Sequence, residues 1–213
     1  MASLAQWKPL STAGYSSGMR TVLPLLFLSL CSALFAADGK PVHVLFHTEV
    51  GDIEVEVDTV HAPITATNFL RHVDSGFYDG GTFFRTVTLD NQPQNQVKIE
   101  VIQGGNRSKE ESAAELPAIP LERTNKTGLK HEDGAISMAR GEPDSATSEF
   151  FICIGDQPEL DFGGKRNPDG QGFAAFGRVM KGMDVVRRIQ KSPADGQTLT
   201  PEIKILSAKR AGA

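Results

Sequence analysis

Few side chains in this sequence stand at spacings that do covalent or metal chemistry. Cys153 lies in Phe150-Phe151-Ile152-Cys153-Ile154, an apolar, strand-like run that suits an inert buried thiol rather than a nucleophile. His43 and His47 are four apart, but in a strand-like stretch and without a carboxylate or Cys set, so they do not read as metal ligands. His61, His72 and His131 are scattered, and none pairs with a Ser or Cys motif for acyl transfer. Gly170-Gln171-Gly172-Phe173-Ala174-Ala175 fits a dinucleotide fingerprint on paper, yet no strand-then-helix context surrounds it. No metal and no cofactor is expected. Non-covalent chemistry remains. Arg85 follows Phe83-Phe84 and offers several fixed donors on a permanent charge. Gln103 precedes Gly104-Gly105, which let the chain turn, and Phe151 stands in the apolar run. Taken singly, these are equally a solvated arginine at a strand end, a glutamine at a loop edge and a core phenylalanine.

The elements that must position these residues are mostly short strands. Val42–Thr48 and Asp52–Val57 are β-rich, and in the second Ile53, Val55 and Val57 alternate with Glu54, Glu56 and Asp58, the pattern of a half-buried strand in a hairpin. Ala62-Pro63 opens a helix to about Ser75, with Phe69, Leu70, Val73 and Phe77 at helical spacing and Gly76 closing it. Tyr78–Val87 reads as a turn and a strand, Thr88–Lys98 as an exposed loop, and Ile99–Gln103 as a strand. Asn106–Thr127 is loop-like and charged. Gly134–Ala139 and Glu149–Ile154 are apolar strands, Gln157–Gln171 a Gly/Asp/Pro-rich loop, and Phe173–Met180 a further strand. Met183, Val186 and Ile189 mark a second amphipathic helix, and Ile203–Ser207 a last strand. About eight strands with two distant helices do not alternate as a parallel doubly wound sheet would. They fit a mainly β fold, an antiparallel barrel with helices over its ends.

The 213 residues suffice for one good-sized core. Residues 1–37 are expected to be an N-terminal extension and signal peptide, and 38–213 the folded domain. Met1–Ala37 holds no Asp or Glu; Met19-Arg20 precedes the apolar run Thr21–Leu30, and small residues follow at Ala33, Ala36 and Ala37, the layout of a secretory leader. Such a run is too short to span a bilayer, which needs roughly 20 residues. Without Lys8 and Arg20 the chain keeps 20 basic against 26 acidic residues. A mildly acidic body with no basic run argues against a nucleic-acid partner. The expected location is periplasmic or secreted, with no stable membrane insertion once the leader is removed.

Several segments, in order, resemble one family. They are Thr67-Asn68-Phe69, Phe77-Tyr78-Asp79-Gly80, Thr82-Phe83-Phe84-Arg85, Ile102-Gln103-Gly104-Gly105, Gly134–Arg140 (GAISMAR), Asp144–Ile152 (DSATSEFFI), Leu160-Asp161 and Phe176-Gly177-Arg178-Val179. Together they are similar to the cyclophilins, most closely to the bacterial periplasmic branch, over Val42 to about Ile205. The resemblance implies a closed eight-stranded antiparallel barrel capped by two α-helices, and peptidyl-prolyl cis-trans isomerase activity on proline-containing peptides and folding proteins, as a monomer.

Rotation about a peptide bond faces a barrier of about 18–20 kcal/mol from amide resonance. A catalyst must favour the twisted amide, whose pyramidal nitrogen carries a freed lone pair, and needs only a donor aimed at it and an apolar slot for the ring. By resemblance Arg85 is the catalytic donor, Gln103 supports it and contacts the substrate backbone, and Phe151 is the floor of the proline pocket. Met138, Val101, Leu160 and Phe173 supply other wall or nearby core; Val101 stands where the family usually has Met, and Phe173 where many members have His or Tyr. Ala139 and Arg140 match the edge segment whose main chain pairs with the peptide. Three acids depart from the pattern: Glu100 and Glu159 replace aromatic residues, and Glu149, counted with the substrate-binding set, replaces a Gln. They are expected to weaken the pocket or to bias it toward basic peptides. They also motivate an alternative, a cyclophilin-fold peptide-binding module or chaperone with little catalysis.

Overall fold

Ile53, Val55 and Val57 are wholly buried, while Glu54 and Glu56 between them reach solvent; the alternation in the sequence is the two faces of one strand. The computed structural model describes residues 41–107 and 116–212, so the expected leader and the charged stretch 109–115 lie outside the described residues. The strands are β1 (Val42–Thr48), β2 (Gly51–Val57), β3 (Thr82–Val87), β4 (Val101–Gly105), β5 (Ala135–Met138), β6 (Phe150–Cys153), β7 (Ala174–Lys181), β8 (Ala194–Asp195) and β9 (Thr198–Arg210). The helices are α1 (Pro63–Asp74), α2 (Thr124–Thr127) and α3 (Met183–Gln190), with a 3₁₀ turn at Pro158–Leu160.

Eight strands pair antiparallel in the order β1-β2-β7-β5-β6-β4-β3-β9, and β9 returns to β1. The sheet therefore closes, and no long strand edge is left exposed. Its interior is filled by side chains, among them Phe46, Phe69, Tyr78, Phe83, Phe150 and Phe176. Their rings meet at 4.9–6.2 Å. α1 packs on β7 and β9, and α3 on β2, β3 and β4, each burying an apolar stripe: Phe69, Leu70 and Val73 in α1, and Val185, Val186 and Ile189 in α3. The expected mainly β barrel with two covering helices is the observed architecture.

Four local expectations differ. A one-turn helix, α2, ends the stretch read as loop, closed by Gly128 at φ 78°. The 3₁₀ turn lies inside the Gly/Asp/Pro-rich loop. The last strand runs from Thr198 to Arg210 rather than from Ile203 to Ser207, and its start pairs with the unexpected two-residue β8. The loop 88–98 is exposed or half-buried except at Gln92, which is 1% exposed and donates from Nε2 to Thr88 O and Ile99 O, each at 2.7 Å.

Candidate active site

Arg85 reaches the surface because of an irregularity in its strand. Phe83 pairs with Gly104 and Arg85 with the next residue, Gln103, so Phe84 is one residue too many. In a regular strand Phe83 and Arg85 would share a face. The bulge at Phe84 turns Phe83 into the barrel interior and Arg85 outward. From Arg85 the register continues across the sheet: Arg85 faces Gln103, Gln103 faces Phe151, and Phe151 faces Ser137. A row on the outer face of four adjacent strands, β3, β4, β6 and β5, thus joins residues far apart in sequence. Gly104 must lack a side chain, since a Cβ there would stand 2.9 Å from the Phe83 ring.

A groove of about 230 Å³ opens over this row, lined by Arg85, Ile99, Val101, Gln103, Ala139, Arg140, Phe151, Leu160, Arg166, Asn167 and Phe173. Phe151 is buried, and Phe173 meets it edge-on at 5.3 Å and 88°. A second apolar cluster beneath, with Val87, Ile99, Val101, Cys153 and Leu160, supports the floor. Burial among these neighbours pushes the Cys153 thiol far above its ordinary pKa.

Arg85 is fixed from two sides. Its Nη1 donates to Gln103 Oε1 at 2.9 Å, and its Nε and Nη2 donate to Gln197 Oε1 at 2.9 and 2.6 Å. Three of its N–H groups are used in this way, which leaves one on each terminal nitrogen for a ligand. Gln103 Nε2 in turn donates to Glu149 Oε2 at 2.7 Å, and Gln197 Nε2 to Asn91 O at 3.1 Å. Burial lowers the Arg85 pKa, the charge of Arg166 lowers it further, and Glu149 acts in the opposite sense. A guanidinium remains protonated under any such shift at neutral pH.

Of the residues singled out in the sequence, Arg85, Gln103, Phe151, Ala139, Arg140, Val101, Leu160 and Phe173 come together here. Met138 does not. It is 1% exposed in the barrel interior opposite Phe150, because side chains alternate along β5 and Ser137 takes the groove side. Glu149 supports Gln103 from outside the groove and has Arg107 at 3.8 Å. Ala139 N–H donates to Glu149 O at 2.8 Å. The Arg140 side chain lies 5.1 Å over the Phe173 ring and pairs with Asp169 at 2.8 Å.

Two features were not read in the sequence. Gln197, on the turn after β8, is the second clamp on Arg85. The other is a buried Asp–His–Ser chain, which is not an acyl-transfer site. His131 Nδ1 bonds Asp161 Oδ1 at 2.8 Å and its Nε2 bonds Ser137 Oγ at 3.0 Å. Ser137 is fully buried and His131 is 2% exposed, so no acyl substrate reaches them. The ring stacks on Phe151 at 5.9 Å and 13° and braces the floor from beneath. Burial works against the Asp161 charge, but the hydrogen bonds and charge of His131, with Lys130 nearby, hold its pKa below the usual value.

The comparisons agree with this geometry. Residues 43–210 match the family described as cyclophilin type peptidyl-prolyl cis-trans isomerase/CLD. Peptidyl-prolyl cis-trans isomerase A of Dickeya dadantii is 38% identical over 175 residues, covering 81% of this chain and 83% of its own. Peptidyl-prolyl cis-trans isomerase B of Escherichia coli is 35% identical over 159 residues, covering 73% of this chain and 87% of its own. Among solved structures, a Cryptosporidium parvum cyclophilin type isomerase crystallised in the presence of the dipeptide Ala-Pro superposes with a TM-score of 0.64 at 22% identity, over 80% of this chain and 99% of that one. The family match spans the barrel, the curated relatives carry the same activity in their names, and the chain belongs to the cyclophilin-type peptidyl-prolyl cis-trans isomerases.

Proposed function

We propose that the chain accelerates rotation about X–Pro bonds in exported, folding proteins, with Arg85 as the catalytic donor and Phe151 as the floor that grips the ring. The observation that carries this is the row Arg85–Gln103–Phe151 across adjacent strands, which sets a fixed cation beside an apolar floor in one groove. As the amide twists, resonance is lost and electron density returns to the proline nitrogen. The two open N–H groups of Arg85 meet that lone pair more favourably than they meet the planar amide, so binding is stronger at the top of the barrier. Gln103 and Gln197 hold the guanidinium in place beforehand, so little reorganisation is needed as the bond turns. No proton is transferred and no covalent bond forms.

The ligand class is proline-containing peptide, in line with the Ala-Pro dipeptide present with the Cryptosporidium structure. Arg140 lies at the end of β5, where an extended peptide can run alongside its backbone. Export is supported by the acid-free segment Met1–Ala37 and its apolar run. Among the described residues no helix is long and apolar enough to cross a membrane.

The test is an isomerisation assay on a proline peptide with the wild-type chain and Arg85→Ala. The variant should keep its circular dichroism spectrum and lose about a hundredfold in kcat/KM or more. Wild-type turnover in a folded Arg85→Ala protein would remove Arg85 from the mechanism. Cell fractionation with mass spectrometry tests export: the chain should be found in the periplasm without about its first 37 residues, and recovery from the cytoplasm alone with an intact N-terminus would overturn it.

A further inference from the structure

Besides Arg85 and Arg140 the groove is lined by a third arginine, Arg166, which bond rotation does not require. Arg166 lines the same cavity as Arg85 and is half-buried. Its Nη1 donates to Gln92 Oε1 at 2.9 Å and to Val97 O at 2.7 Å, and its backbone N–H donates to Glu159 O at 3.1 Å. Gln92 is itself buried and tied to Thr88 O and Ile99 O. Two irregular segments, 88–98 and 161–172, are thus latched together at one arginine. The side-chain acceptors are both neutral, so the latch leaves the charge uncompensated.

The nearby acids are occupied elsewhere. Glu149 accepts from Gln103, Glu100 accepts from Gln190 at 3.1 Å, and Glu159 Oε2 accepts the Lys165 N–H at 2.8 Å. None of the three lines the groove. The sequence-based expectation that they bias the pocket toward basic peptides therefore has no support in their placement. Arg140 is paired with Asp169. Arg85 and Arg166, by contrast, form no salt bridge with a carboxylate among the described residues. Both guanidiniums line the one groove, and the charge of Arg166 adds to burial in lowering the Arg85 pKa.

The register gives Arg166 a position relative to the proline. Gln103 faces Phe151 and Gly104 faces Phe150, while Ala139 bonds Glu149, the residue before Phe150. Ala139 and Arg140 therefore lie toward the Gly105 end of β4. Ile99 and Val97, which flank Arg166 through its latch, lie before Val101 at the other end. A peptide with its ring over Phe151 and its backbone along Arg140 passes Arg166 on the opposite side of the proline.

We propose that Arg166 is a specificity-determining residue, which selects X–Pro segments carrying an Asp or Glu side chain on the side of the proline away from Ala139–Arg140. This rests on the isomerase reading and names its substrate class. The attraction is present before and during rotation alike, so it acts on KM rather than kcat, and it weakens with salt.

The experiment measures kcat/KM for proline peptides of one length with Ala, Glu or Lys placed immediately before or immediately after the X–Pro unit. The full chain is compared with Arg166→Gln and Arg166→Lys, each checked for folding by circular dichroism. The wild type should favour Glu over Ala by about three- to tenfold at one of the two positions, less at high salt. Arg166→Gln should reduce that ratio to about one, and Arg166→Lys should retain part of it. Equal rates on Glu and Ala peptides at both positions overturn the proposal, as does a preference that survives in Arg166→Gln. In either case turnover of the Ala peptides leaves the isomerase reading standing, whereas no turnover of any peptide removes both.

Discussion

Arg85 differs from an ordinary surface arginine in what holds it. One side chain, Gln103, faces it across the ladder, and another, Gln197, is 112 positions away in sequence and accepts two of its N–H groups. A donor that must meet a transient lone pair is useful only if it is already in place. Gln197→Ala should therefore lower kcat about three- to tenfold with KM little changed; a rise in KM alone would mean that Gln197 serves binding and not the orientation of Arg85. Gln103 and Phe151 were legible beside Arg85 because their motifs resemble a family. Met138, read as wall or nearby core, falls in the core, because resemblance names a position and not the face of the strand on which its side chain falls. Gln197 carried no motif. Its only signal was Asp195-Gly196, a turn dipeptide that went unread along with β8.

The elements show the same division. Alternation in β2 and helical spacing in α1 and α3 were strong enough to place them to within a residue or two. The first residues of β9 were missed because Thr198–Glu202 has a single apolar side chain, Leu199, besides Pro201, and both features read as loop. α1 begins without a cap of its own: Ala62 offers no side-chain acceptor. Glu122, from the segment before α2, accepts from Ile64 N at 3.1 Å, Thr65 N at 2.7 Å and Thr65 Oγ1 at 2.6 Å. A carboxylate is well suited to the positive end of a helix. Glu122→Ala should lower stability to urea by about 1–2 kcal/mol, with isomerase turnover unchanged because α1 does not line the groove. An unaltered urea midpoint would show that the long-range cap contributes nothing.

At the scale of the molecule, the barrel is sealed inside and works outside. The interior is filled by aromatic side chains, and the groove is built on the outer face above a second, smaller apolar cluster. That floor depends on a charge. Asp161 has a folded pKa below its ordinary value, through His131 and Lys130 acting against burial. The unfolded chain thus binds the proton more readily, so this contribution is whole above the ordinary aspartate pKa and is lost as pH falls through the folded one. Asp161→Asn should lower stability at pH 7 and flatten the acid side of a urea-stability profile measured from pH 7 to pH 3; an acid limb as steep as the wild type's would place the acid sensitivity elsewhere. The Cys153 thiol should stay unmodified by an alkylating reagent at pH 8 in the folded protein and react once it is unfolded, as read by peptide mass spectrometry. Modification of Cys153 without unfolding would mean that its burial is not persistent.

The strand that closes the barrel is also the last of the described strands in sequence order. β9 pairs with β1, about 150 positions earlier, and with β3, and the turn just before it supplies Gln197 to Arg85. Until the turn and β9 have left the ribosome, β1 and β3 lack a neighbour and the arginine lacks one of its clamps. Closure of the barrel and the second clamp on the arginine therefore arrive together, and a nascent copy that still lacks β9 and the turn before it has neither.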